Sequence, residues 1–214
     1  PRTRNQERLV LALQDDDQHI VITAGPAGTG KTYLAMLAAV KAFREGEVNR
    51  IVLTRPAVGV EDEKHGFLPG DLNQKMDPWV RPLTDILREY YRQPDIQAMI
   101  EEQVIEIAPL AFMRGRTLDN AFIILDEAQN TTDLQIKMFL TRIGANAKAI
   151  ITGDMTQVDL PRNQRSGLQT AVRILKNIDG IGHIELDEED VVRHRLVKHI
   201  LRAYNKEHEK ENPA

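Results

Sequence analysis

Ile20-Val21-Ile22-Thr23-Ala24-Gly25-Pro26-Ala27-Gly28-Thr29-Gly30-Lys31-Thr32 constrains the architecture of this 214-residue chain more than any other stretch. Residues 20–24 have the apolar, β-branched character of a buried strand, and residues 25–32 fit the pattern G-x-x-x-x-G-K-[ST]. A helical stretch, Lys31–Glu45, follows at once. The glycines let the backbone turn tightly, so that successive N–H groups point at one anion, and the helix start adds positive potential there. In such a loop Lys31 reaches β- and γ-phosphates and the Thr32 hydroxyl ligates Mg²⁺. Gly25, Pro26, Ala27, Gly28, Thr29, Gly30, Lys31 and Thr32 are therefore the candidate phosphate-binding residues. A chance glycine turn would lack the strand before it and the helix after it. The run Tyr33 to Val40 is apolar nearly all round, which predicts a helix buried between a sheet and a second layer.

Outward from this loop, short apolar runs alternate with longer helical patterns. Candidate strands are Ile20–Ala24, Arg50–Thr54, Val104–Ile107, Phe122–Leu125, Ala149–Thr152 and His183–Leu186. Candidate helices are Lys31–Glu45, Pro78–Tyr91, Leu134–Ile143, Leu168–Lys176 and a last one from about Glu189 to Glu207. Parallel strands need helical crossovers, so this alternation predicts an α/β fold with a parallel sheet. The stretch from Arg55 to Arg116 is long for one crossover, and its Gly66, Pro69, Gly70, Pro78 and Pro82 suggest a small inserted subdomain. With 8 basic and 11 acidic residues it is no obvious basic groove. The expectation is one domain over 1–206 with an insert at about 55–118 and a flexible tail at 207–214. Because Pro1 stands first, an upstream segment is also expected.

Composition narrows the class. Apolar residues make up 42% and charged residues 28%, ordinary globular usage that excludes a largely disordered or collagen-like chain. No apolar run approaches the roughly 20 residues that span a bilayer. Without cysteines or a secretory signal, a cytoplasmic protein without membrane contact is expected. A net charge of −4 argues against a globally basic nucleic-acid binder, leaving room for a local patch.

A second motif closes another strand: Ala121-Phe122-Ile123-Ile124-Leu125-Asp126-Glu127. In an open parallel sheet, ligands sit beyond the carboxyl ends of the strands. Asp126 would face the metal held by Thr32, and Glu127 would orient or deprotonate an attacking water. Such carboxylates also close strands as solvated caps. A third strand ends at Gly153-Asp154-Met155-Thr156-Gln157, where Gln157 could contact the γ-phosphate or its water; an ordinary Gly-Asp turn is the competing reading.

Together Gly25–Thr32, Asp126-Glu127-Ala128-Gln129 and Gly153-Asp154-x-x-Gln157 resemble the ATPase core of superfamily 1 helicases. Leu53-Thr54-Arg55-Pro56-Ala57, Arg114-Gly115-Arg116-Thr117-Leu118 and Val191-Val192-Arg193-His194 make the chain similar, from about Asn5 to Tyr204, to the PhoH-like family. That resemblance implies a P-loop NTPase of RecA/helicase type, its parallel sheet sandwiched by helices and bearing a small helical insertion. It implies a cytoplasmic protein that binds and hydrolyses ATP with Mg²⁺. It also implies that Gln6, on the apolar face of a helix at Thr3–Leu13, reads the adenine edge; a plain helix-start glutamine is the alternative. Arg193 resembles the arginine that neutralises charge on the γ-phosphate, with a structural ion pair as the alternative and Arg195 as a substitute. The catalytic candidates are thus Lys31, Glu127, Gln157 and Arg193, and the metal ligands Thr32 and Asp126.

Superfamily 1 motors place their last motif on a second domain, which a single core lacks. Arg193 would either fold back onto its own site or reach a neighbour's site in a homo-oligomeric ring, with a hexamer as the candidate size. RNA or single-stranded nucleic acid is the expected macromolecular partner. Residues 160–178 carry Arg162, Arg165, Arg173 and Lys176 with no carboxylate, and Trp79, Tyr90 and Tyr91 could stack on bases. A solvated helix face and core aromatics are the bland readings. A nucleotide-dependent regulatory switch of phosphate-starvation type, with slow hydrolysis and no direct nucleic-acid role, is the alternative function.

Overall fold

A computed structural model describes residues 1–56, 81, 83–161 and 163–192. Within them, six strands form one parallel sheet: β1 (Ile20–Ala24), β2 (Arg50–Arg55), β3 (Ile105–Pro109), β4 (Ala121–Leu125), β5 (Lys148–Gly153) and β6 (Ile181–Glu185). Their order is β3-β2-β4-β5-β1-β6. The helices are α1 (Arg4–Gln14), α2 (Lys31–Glu45), α3 (Gln93–Glu101), α4 (Asp133–Leu140) and α5 (Gly167–Ile174), with a further helical stretch over 83–87. This is the expected α/β architecture, a parallel sheet with helices packed on both faces.

Strand residues alternate between two cores. On one face Val21, Leu53, Phe122, Ile124 and Ile150 pack against α1 and α2; on the other Ile22, Val52, Ile123, Leu125 and Ile151 pack against α4 and α5. Strands covered on both faces read as continuous apolar runs, which is why β4 is buried at every residue. Phe122 is 1% exposed, and truncating an aromatic in such a site costs about 3–5 kcal/mol.

Local chemistry sets the element ends. Thr3 caps α1 by accepting from Gln6 N, and Thr132 and Gln135 form a reciprocal capping box at α4. Gly46, at φ 77°, ends α2, its N–H bonded to Ala42 O and Phe43 O. β1 and α2 fall at their expected limits. The helix expected to end at Ile143 stops at Leu140, because the Thr141 N–H caps it onto Lys137 O and Phe139 O. β6 lies at Ile181–Glu185 rather than His183–Leu186, in register with β1 from Ile20↔Ile181.

The stretch expected as one helix over Pro78–Tyr91 is helical at 83–87 and turns at 88–90, and its Trp79 lies outside the described residues, as does Pro82. The distinct helix α3 was not expected. Where a last helix was expected from about Glu189, residues Glu188–Asp190 form a 3-10 turn capped by Asp187; everything from Arg193 onward lies outside the described residues. Among the described residues, no helix is long and apolar enough to cross a membrane.

The order of strands positions the site. β5 lies between β1, which carries the glycine loop, and β4, which carries the acidic pair. The carboxyl ends of β2, β4, β5 and β1 therefore open side by side onto the start of α2.

Candidate nucleotide-phosphate site

The loop is built on close backbone approaches. Gly25 N donates to Gly153 O at 3.2 Å, and a Cβ on Gly25 would lie 2.4 Å from Leu186 O, so only glycine fits between β1 and the end of β6. Gly28 and Gly30 hold φ of 83° and 86°, the left-handed region that glycine enters without steric cost. The Thr29 hydroxyl closes the turn on Pro26 O at 2.9 Å. Lys31, 8% exposed, donates to Gly25 O at 2.6 Å and Pro26 O at 2.8 Å, which keeps its ammonium inside the loop. Burial lowers its pKa, against the opposing pull of Asp154, Asp126 and Glu127.

Asp126, expected beside Thr32, is there. Its Oδ1 accepts the Thr32 hydroxyl at 2.8 Å and the Thr152 hydroxyl at 2.5 Å. Its Oδ2 accepts Arg55 Nε at 3.0 Å and Arg55 Nη2 at 2.5 Å. The carboxylate is 3% exposed and its backbone N–H is held by Thr54 O at 2.9 Å. These are hard oxygen donors at a helix start, the donor set that fits Mg²⁺ shared with phosphate oxygens. Among the described residues there is no cluster of three or more His, Cys, Asp or Glu that could hold a metal ion.

Glu127 follows in the left-handed region, φ 56° and ψ 37°. A residue with a Cβ pays about 1–2 kcal/mol for that conformation, and the turn it makes aims the carboxylate at the cleft. Gln129, 1% exposed, orients it: its Nε2 donates to Glu127 Oε2 at 2.7 Å and to Gln157 O at 3.1 Å. The other end of the same amide accepts from Asp154 N at 3.0 Å. Gln157 in turn donates from Nε2 to Asp154 Oδ2 at 2.7 Å. One amide thus couples the ends of β4 and β5.

These groups enclose a cleft of about 240 Å³. Gly28, Gly30, Lys31 and Thr32 form one wall, and Asp126, Glu127, Asp154 and Gln157 form the other. Tyr33 completes the rim and is 51% exposed, although the apolar pattern of α2 predicted burial.

Gln6 is buried on the apolar stripe of α1, as its spacing predicts, but its amide is engaged by protein. Nε2 donates to Thr29 O at 3.0 Å and Asp190 O at 3.3 Å, while Oε1 accepts from Arg2 N at 2.7 Å. Gln6 is not among the residues lining the cleft; it ties α1 to the loop and to the turn after β6. Asp190 anchors that turn. Burial pushes its pKa up, but hydrogen bonds from Thr3, Asp187 N and Asn5 outweigh it and hold the carboxyl below its ordinary value. Val192 N then donates to Gly28 O at 3.0 Å. Arg193, the expected finger, and Arg195 lie outside the described residues.

Of the groups expected at nucleic acid, Arg165, Arg173 and Lys176 are exposed around α5, and Arg162 lies outside the described residues. Tyr90 is 44% exposed, with the Arg44 guanidinium carbon 4.5 Å from its ring centroid, and Tyr91 packs against the α1–α2 core.

Sequence reasoning missed Arg55, Thr152, Gln129 and Tyr33 as members of the site. Arg55 and Gln129 sit inside recognised motifs, which is the one signal that could have singled them out.

Comparison with known proteins identifies a family. The family described as "PhoH-like protein" matches residues 1–205. A PhoH-like protein of Bacillus subtilis (strain 168) is 54% identical over 206 residues, covering 96% of this chain and 64% of that protein. One from Synechocystis sp. is 52% identical over 213 residues, covering 100% of this chain and 64% of its own length. The chain thus spans less than two thirds of these relatives. Among solved structures, the Pyrococcus furiosus Hef helicase domain aligns with a TM-score of 0.43 at 15% identity, over 84% of this chain and 37% of that one.

Proposed function

This chain belongs to the family of PhoH-like proteins, and on that premise we propose that it binds ATP with Mg²⁺ in the cleft between α2 and the ends of β4 and β5 and hydrolyses it. The observation that carries this reading is the Thr32–Asp126 hydrogen bond with Glu127 turned into the same cleft.

The loop amides and Lys31 would take the β- and γ-phosphates, with the helix start adding positive potential. Thr32 and Asp126 would hold Mg²⁺, which supplies charge neutralisation at the phosphate oxygens. Glu127, oriented by Gln129, would position a water in line with the γ-phosphorus and accept its proton. The new water oxygen–phosphorus bond forms as the bond to the β–γ bridging oxygen breaks, and that oxygen leaves with ADP. Gln157, set by Asp154, would contact the γ-phosphate or its water. Tyr33 offers a ring face at the rim to the nucleoside, a role open to it because Gln6 is engaged elsewhere. Arg193 would act either at its own chain's loop or, in a ring, at a neighbour's.

Coupling to RNA or single-stranded nucleic acid is supported by the exposed Arg165, Arg173 and Lys176 around α5. Phosphate release with and without single-stranded RNA, for the wild type, Lys31→Ala and Glu127→Gln, tests both parts. Stimulation that falls steeply with salt supports coupling. Slow turnover indifferent to RNA supports a regulatory switch instead. Hydrolysis by Glu127→Gln at the wild-type rate would remove Glu127 from the mechanism.

A further inference from the structure

Both oxygens of Asp126 are occupied by protein donors, and the two sides differ. Oδ1 accepts neutral hydroxyls from Thr32 and Thr152; Oδ2 accepts two N–H groups of one guanidinium, Arg55. The Arg55 side chain is 19% exposed and the Asp126 side chain 4%. A carboxylate this buried would be strongly disfavoured without a compensating charge. Arg55 provides it permanently, because a guanidinium does not give up its proton.

The same charge sits where a divalent cation held by Thr32 and Asp126 must come. A hydrated cation approaching by itself would gain little from a carboxylate whose charge is already offset by a guanidinium in direct contact with it. A cation carried on a triphosphate brings several negative charges and reverses that balance. Arg55 ends β2 on the side of β4 away from β1, next to Pro56.

We propose that Arg55 is a positioning residue that makes the site admit the metal–nucleotide complex and refuse the free metal, by holding Oδ2 of Asp126 until phosphate-borne charge displaces it. This rests on Asp126 being a metal ligand, as proposed above. Arg55 does not touch the reacting atoms; it sets which form of the cation Asp126 accepts. The pair also keeps Asp126 aimed at Thr32.

The test is a titration of the full chain with Mn²⁺, a paramagnetic probe for Mg²⁺, without nucleotide, reading free Mn²⁺ by electron paramagnetic resonance. The variants are Arg55→Gln, Arg55→Lys and Arg55→Gln with Asp126→Asn. Arg55→Gln should bind Mn²⁺ roughly tenfold or more tightly than the wild type, as expected for removing a like charge at this range. Adding Asp126→Asn should abolish that gain. Arg55→Lys, which keeps the charge but loses the two-pronged contact, should show a smaller gain in the same direction, and it carries the test if Arg55→Gln does not fold. Circular dichroism checks folding of each.

Unchanged Mn²⁺ affinity in folded Arg55→Gln and Arg55→Lys would overturn the proposal and leave a purely structural ion pair. Loss of Mg²⁺·ATP binding without any gain for free Mn²⁺ would overturn it too, pointing to direct contact with nucleotide. A gain for Mn²⁺ that Asp126→Asn abolishes, in a protein whose wild type binds no ATP, would uphold the exclusion of free metal by Arg55 while sinking the ATPase reading, so the two failures are distinct.

Discussion

Gln129 donates its side-chain amide to Glu127 Oε2 at 2.7 Å, and this bond fixes the carboxylate of a residue whose backbone sits in the left-handed region. The conformation is unfavourable for glutamate, and the hydrogen bond is made from a side chain that is itself buried and tied to Asp154 N at 3.0 Å. A strained turn, over-determined by its neighbours, is spent on aiming one acid.

Glu127→Gly should therefore stabilise the fold while removing hydrolysis. Relief of the left-handed penalty is worth about 1 kcal/mol, or roughly 2–4 °C in Tm for a chain of this size. Glu127→Gln should keep nucleotide affinity and lower turnover by about 10²–10⁴. Thermal melts and single-turnover phosphate release check the two effects separately.

Gly25→Ala should fail at folding before it fails at chemistry. The added Cβ would meet backbone, Leu186 O at 2.4 Å, which no rotamer change can relieve. Overpacking of this kind costs about 1–3 kcal/mol or more. Urea unfolding should show the loss of stability, with β6 displaced from its register on β1 as hydrogen exchange at Ile184 and Glu185.

Lys31 predicts a pH dependence. Burial lowers its pKa in the folded protein below the ordinary 10.5, so between that lowered value and 10.5 the unfolded chain binds more protons. Stability contributed by this group therefore rises with pH through that window, and below it the folded state carries the full cost of a buried cation. Phosphate beside Lys31 should restore its affinity for the proton, so nucleotide binding takes up a proton in the same alkaline window. Calorimetry in buffers of different ionisation enthalpy measures it. Lys31→Met should be more stable than the wild type in urea and should lose nucleotide binding.

Tyr33→Ala should weaken ATP about five- to a hundredfold, the range of a base–aromatic stack, and leave tripolyphosphate affinity unchanged. Equal losses for both ligands would assign Tyr33 to the loop's structure instead.

How much of this was legible beforehand follows from where each residue stands. β1 and α2 fell at their expected limits because an apolar strand and an apolar helix are bounded by glycines whose backbone role is local, Gly30 and Gly46. Asp126 was legible because it ends an apolar strand. Arg55 and Thr152 were not: they end separate strands, and only the order β2-β4-β5 places them on the two sides of one carboxylate. The burial of Gln6 could be read from its stripe on α1, but its partners, Thr29 O and Asp190 O, lie 23 and 184 residues away, beyond any periodicity argument. Tyr33 shows the limit of a hydrophobic pattern, which marks a helix as apolar all round without saying which side a cleft opens on.

The central claim is that the loop and Asp126 bind one magnesium–nucleotide complex, and isothermal titration of the wild type and Asp126→Asn with ATP, each with Mg²⁺ and with EDTA, tests it most directly. The account predicts one site per chain in the wild type, tightened by Mg²⁺, and an Asp126→Asn protein whose remaining ATP affinity no longer responds to Mg²⁺. Heat-silent mixing by folded wild type, or an unchanged Mg²⁺ response in Asp126→Asn, would contradict it.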